Sequence, residues 1–137
     1  MTVAFADASY WIALLNPGDS LHGKAAAVAR SKAISRMITS EMVLTEFLDD
    51  FSGRGRQFRQ IAVGWVQRLR RHPNVIIIPQ SSLQFQEALV LYAQRSNKKW
   101  GFTDCSSFQI MTREGLTKAL THDRHFEQAG FQALLRS

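Results

Sequence analysis

Short apolar runs alternate with longer stretches of helical periodicity along the whole chain. Val3 to Ala6 reads as a buried strand that stops at Asp7, and Tyr10 to Leu15 as the start of a helix closed by the turn-forming run Asn16 to Asp19. Leu21 to Lys32 is Ala-rich and helical in propensity. A short strand around Met37 to Thr39 leads to Ser40, a good N-cap for a helix reaching about Phe51. Gly53 and Gly55 break that helix. Gln57 to Arg71 follows as a basic amphipathic helix, ended by His72, Pro73 and Asn74. Val75 to Ile78 is the clearest strand, β-branched and closed by Pro79. Leu83, Phe85, Ala88, Leu89 and Tyr92 give Ser82 to Arg95 a helical period. Beyond the loop "SNKKWG", Thr103 to Arg113 predicts a helix stopped by Gly115. Lys118 to Thr121 predicts a strand, and Phe131 to Leu135 an edge strand.

Strands that alternate with helices imply an α/β three-layer sandwich, a central mainly parallel sheet flanked by helices. At 137 residues, with no repeats and no convincing linker, residues 1–137 are expected to form one domain. In such sheets sites form beyond the carboxyl ends of the strands, where the winding reverses. Asp7 and Asp123 each follow a predicted strand, so they overhang one crevice if those two strands are near neighbours.

Composition narrows the class. Hydrophobic residues make up 45%, enough for an ordinary core, but no apolar run is long enough to span a bilayer. The first residues lack the basic segment and long apolar segment of a secretory signal. A single cysteine, Cys105, excludes a disulfide framework and a cysteine-cluster metal site. A soluble, cytoplasmic protein is expected. The net charge is +6, and from Phe51 to Gln86 there is no acid while Arg54, Arg56, Arg59, Arg68, Arg70 and Arg71 all fall inside. Such a face suits a polyanion or an acidic protein, because guanidinium pairs bidentately with phosphate and carboxylate. A merely solvated helix face has the same composition.

Four acids carry the candidate chemistry. On a helix from Thr103, Asp104 shares its side with Cys105, Phe108 and Met111, while Ser106, Gln109 and Arg113 lie elsewhere. An unpaired carboxylate on that apolar stripe costs several kcal/mol or changes its protonation, so it calls for a cation or hydrogen-bond donors. A favourable place at a helix N-terminus explains the acid but not its inward orientation. Glu46 lies at the border of its helix's apolar face, between Met42 and Val43. Asp7 and Asp123 read equally as turn or cap residues, since Asp bonds its own backbone at strand ends. Taken as a set, four acids on one rim repel one another and require a counter-charge. Hard oxygen donors select Mg²⁺ or Mn²⁺, ions that activate water and neutralise a phosphodiester.

Three stretches, "FADASYWIALL", "ITSEMVLTEFLDD" and "FTDCSSFQIMTREGLTKALTHDRHFEQAGF", resemble the PIN domain, especially the ribonuclease toxins of bacterial toxin–antitoxin pairs (VapC type). The resemblance implies a parallel sheet, an Mg²⁺- or Mn²⁺-binding acidic pocket, an RNA substrate, a cognate antitoxin and a homodimer. Carried across, Asp7, Glu46, Asp104 and Asp123 are the catalytic and metal-ligating acids, with Ser9 a supporting hydroxyl. Cys105 stands where a small residue such as Ala is expected.

Trp100, Lys98 and Lys99, in the loop before Asp104, and Arg124 beside Asp123 are candidate RNA contacts. Trp11 and Trp65 fall in apolar stripes and read as core, and His122 and His125 as ordinary loop residues framing Asp123. Two other readings stay open. One is a catalytically inactive nucleic-acid- or protein-binding module. The other is an aspartyl-phosphate phosphatase with Asp7 as nucleophile, weakened by Ser9 standing where a second acid is usual.

Overall fold

The computed structural model describes residues 2–136. Five strands form its centre: β1 (Val3–Ala6), β2 (Arg36–Ser40), β3 (Val75–Ile78), β4 (Lys118–Leu120) and β5 (Gln132–Ala133). They lie in the order β3-β2-β1-β4-β5, and every pairing is parallel. Among the described residues, seven helices flank the sheet: α1 (Ala8–Leu15), α2 (His22–Ser31), α3 (Glu41–Ser52), α4 (Arg56–Arg71), α5 (Ser82–Gln94), α6 (Phe102–Glu114) and α7 (Arg124–Gln128). A parallel sheet covered on both faces needs strands apolar on both sides. β1 meets that demand: Ala4, Phe5 and Ala6 are fully buried.

The chain winds outward from β1 to β2 to β3, then crosses back to the other side of β1 for β4 and β5. The reversal therefore falls between β1 and β4, which pair as Phe5 with Ala119 and Ala6 with Leu120. The Asp7 N–H continues the ladder by donating to the Leu120 carbonyl (3.1 Å). That makes near neighbours of two strands more than a hundred residues apart. On the other side, the Trp11 indole donates to the Thr39 hydroxyl (3.3 Å), which donates to the Ala6 carbonyl (2.8 Å). These buried bonds satisfy polar groups that would otherwise destabilise the core, and they fix the end of β1 from which Asp7 projects.

Several expectations need correction. α1 begins at Ala8, directly after Asp7, and not at Tyr10. α7 was not anticipated; its five residues are too few to leave a period in the sequence. The edge strand shrinks from Phe131–Leu135 to Gln132–Ala133, because Leu135 is held by its N–H to the Thr121 carbonyl (3.0 Å) and not by the ladder. Ser106 is buried too: α6 packs against α5 as well as the core, and Gln84 donates to the Ser106 carbonyl (3.4 Å). Trp11 is core, and Trp65 packs against the core partly buried while also lining an apolar cleft.

Candidate active site

Each acid is placed by the end of an element. Asp7 occupies the N-cap position of α1, immediately beyond β1. Ser40 ends β2 and caps α3, its hydroxyl accepting from the Val43 N–H (3.1 Å), which sets Glu46 in the second turn. Asp104 lies in the first turn of α6, its Oδ2 accepting from the Gly101 N–H (3.2 Å). Asp123 follows β4 and caps α7, its Oδ1 accepting from the His125 N–H (2.9 Å).

The four meet electrostatically. Asp7 is 5% exposed, and burial, then the charges of Glu46 and Asp104, push its carboxyl up to about 7. The Thr121 hydroxyl and the Ala8 N–H oppose that rise. Burial raises Asp104 as well, with the Asp123 charge adding to it and the His125 hydrogen bond opposing. Glu46 is the most open of the four, yet partial burial, followed by the charges of Asp104 and Asp123, lifts its carboxyl above the usual range. Carboxylates that raise one another's proton affinity are a site in want of positive charge. The hard oxygen donors fit a divalent cation of the Mg²⁺ or Mn²⁺ type.

Hydroxyls tie the strand ends together. Thr121 donates to Asp7 Oδ2 (2.8 Å) and accepts from the Asp123 N–H (3.1 Å). Ser9 bridges Asp7 Oδ2 (3.4 Å) and the Thr121 hydroxyl (3.2 Å), and accepts from the His122 N–H (3.3 Å). The structure thus places Ser9 beside Asp7. Thr121 was missed, because its part depends on β1 lying next to β4.

His125 was also misjudged. It is no loop residue: it sits in α7, with Nδ1 3.1 Å from Asp104 Oδ2 and 3.4 Å from Asp123 Oδ1. Among the described residues, Asp104, Asp123 and His125 each present one ligand atom, all within 4.8 Å of one another.

The remaining candidates fall outside this cluster. Trp100 is buried, not presented to solvent: its indole donates to Gln128 Oε1 (3.1 Å), and its ring packs edge-on against Phe108. Arg95 and Lys98 lie over that ring. Trp100 therefore pins the loop before α6 to α7, and little of it remains for a base to stack on. Lys99 and Arg124 are exposed. Cys105 is buried, as a small hydrophobe would be. Of the arginines, Arg70 pairs with Glu41 (3.3 Å), Arg54 with Asp50 (3.0 Å), and Arg68 lies over the Trp65 ring.

The chain matches known proteins over nearly its whole length. The PIN-domain family model matches residues 4–132. The 23S rRNA-specific endonuclease VapC20 of Mycobacterium tuberculosis is 29% identical over 128 residues, covering 93% of this chain and 94% of the relative. The crystal structure of that protein, described as a sarcin–ricin loop cleaving toxin, superposes with a TM-score of 0.83 at 28% identity, covering 95% of this chain and 96% of that one. FitAcB from Neisseria gonorrhoeae shares the fold, with a TM-score of 0.65 at 15% identity and coverage of 96% and 95%.

Proposed function

Since the chain belongs to the PIN-domain family, we propose that it is a metal-dependent endoribonuclease and the toxin of a type II toxin–antitoxin pair. The observation that carries this reading is the meeting of Asp7, Glu46, Asp104 and Asp123 at the reversal point between β1 and β4, with Asp7 buried and its proton affinity raised. A pocket kept only for binding would have no use for so costly a group.

Asp7, Asp104 and Asp123 would hold the ion, Mg²⁺ or Mn²⁺, with Glu46 at the rim. When bound, it supplies positive charge against the phosphodiester oxygens and makes water more acidic. The residues of the chain do the rest. Thr121 and Ser9 orient the Asp7 carboxylate. Glu46, open to solvent and with raised proton affinity, takes the proton of the attacking water as the water oxygen bonds to phosphorus; the bond from phosphorus to the ribose oxygen breaks, and that oxygen takes a proton from solvent. The arginine-rich α4 attracts the phosphate backbone.

The relative acts on 23S rRNA, so a hairpin of the sarcin–ricin type is the first substrate to try. The protein as purified should cut it with Mg²⁺ or Mn²⁺ and not in chelator, while Asp7→Asn and Asp104→Asn should leave it intact. Undiminished cleavage by well-folded variants of both would overturn the proposal.

Two surfaces suit the expected partners. A cleft of about 340 Å³, lined by Tyr10, Leu14, Val28, Ile34, Trp65 and Arg68 among others, fits an apolar antitoxin segment. The buried Trp65 indole N–H, without a partner among the described residues, would take a carbonyl from it. Phe85, Leu89 and Tyr92 form an exposed apolar stripe on α5 that suits a second copy of the chain. No described helix is long and apolar enough to cross a membrane, and the cytoplasm is the compartment we propose.

A further inference from the structure

Among the described residues, His125 is the one imidazole in the acidic cluster. Its backbone is firmly placed. Phe126, the next residue, is fully buried and packs edge-on against Phe108 (4.9 Å between ring centres), so α7 cannot turn without opening the core. The His125 N–H is held by the Asp123 carboxylate (2.9 Å), which turns the ring back over the acid that caps its own helix. The side chain is 22% exposed.

Donor atoms around a six-coordinate ion at about 2.1 Å lie about 3 Å apart along each edge. His125 Nδ1 is 3.1 Å from Asp104 Oδ2 and 3.4 Å from Asp123 Oδ1. A hydrogen bond to Asp104 accounts for the first contact. It leaves the same nitrogen beside a second carboxylate, a placement that one N–H cannot serve fully and one cation can. In the Nε2–H tautomer the Nδ1 lone pair faces both acids.

We propose that His125 ligates, through Nδ1, the ion held by Asp104 and Asp123, and so makes the site favour a first-row transition ion such as Mn²⁺ over Mg²⁺. The assignment rests on the reading of the acidic pocket as a metal site. Mg²⁺ keeps oxygen donors and gives up water reluctantly, whereas transition ions accept imidazole more readily. The sequence alone pointed to an all-oxygen set, for which no such preference is expected.

The test is pulsed electron paramagnetic resonance of the full chain loaded with Mn²⁺. Wild type should show a ¹⁴N coupling that His125→Gln and His125→Ala lose and His122→Gln retains. By competition, wild type should bind Mn²⁺ at least about tenfold more tightly than Mg²⁺. His125→Ala should lose about tenfold for Mn²⁺ while its Mg²⁺ affinity changes little. Bound Mn²⁺ without nitrogen coupling in wild type, or no bound ion at all, overturns the proposal. The wild-type spectrum decides even if a variant fails to fold. RNA cleavage by the same preparation separates the two readings. Cleavage without coupling leaves the nuclease standing and removes the ligand; coupling without cleavage does the reverse.

Discussion

Thr121 donates a 2.8 Å hydrogen bond to Oδ2 of Asp7 from 114 positions away in sequence, and the Thr121 hydroxyl oxygen itself accepts from the Asp123 backbone N–H (3.1 Å). One hydroxyl thus positions two acids that follow different strands. Thr121→Val keeps the shape, removes the donor and leaves the Asp123 N–H without its acceptor. Unfolding in urea should show a loss of about 1–3 kcal/mol, with cleavage falling at least tenfold, while Thr121→Ser recovers most of both. Equal activity in the valine variant would show the bond to be incidental.

Asp7 sets a pH dependence. Burial lets the folded chain keep a proton that the unfolded chain releases near 3.8, so the folded carboxyl ionises only at about 7. Without divalent ions, stability should therefore be greatest below the lower value and decline as pH climbs through that window, by on the order of a few kcal/mol. Asp104 and Glu46 are raised in the same direction. Asp7→Asn should flatten the decline in a urea series from pH 4 to pH 8. An identical slope in the variant would assign it to other groups.

Asp7, Asp104 and Asp123 were legible in the sequence because each stands at or within a turn of an element boundary, where a carboxylate interrupting an apolar run is conspicuous, and Glu46 because it borders the apolar face of its helix. Their company was not. The role of Thr121 follows from β1 lying beside β4, and that of His125 from α7 packing against α6; both arrangements are decided by packing across the molecule and unmarked in any local window. α7 hid for a different reason, being shorter than two helical turns. Trp100 looked like an exposed ring among lysines, yet its indole acceptor, Gln128, lies on that same hidden helix. Alternation of strands and helices was enough to recover the architecture, since period and turn residues are local properties.

The arginines of α4 predict salt-dependent association. Replacing Arg68, Arg70 and Arg71 with alanine should weaken RNA binding and reduce the slope of log affinity against log salt by about 0.7 for each arginine that meets a phosphate. Arg70 already pairs with Glu41 on an exposed surface, so its single replacement should cost the fold no more than about 1 kcal/mol. An unchanged salt slope in the triple variant would reduce the segment to a solvated face.

The cleft at Trp65 and the stripe on α5 predict separable losses. Leu14→Asp should abolish antitoxin capture, measured by calorimetry with the purified partner, and leave cleavage of RNA in place. Leu89→Asp should yield a monomer by sedimentation, where wild type should sediment as a dimer. A wild-type chain that sediments as a monomer would remove the second expectation outright.

The central position of β1 also bears on how the molecule comes into being. β1 is made more than a hundred residues before β4, so the acid at its end, Asp7, has to wait for β4 before it acquires Asp123 as a neighbour. A half-made polypeptide carries Asp7 and Glu46 but no cutting centre. Any chemistry that needs all four acids is thereby withheld until β4 has docked beside β1, a delay built into strand order alone.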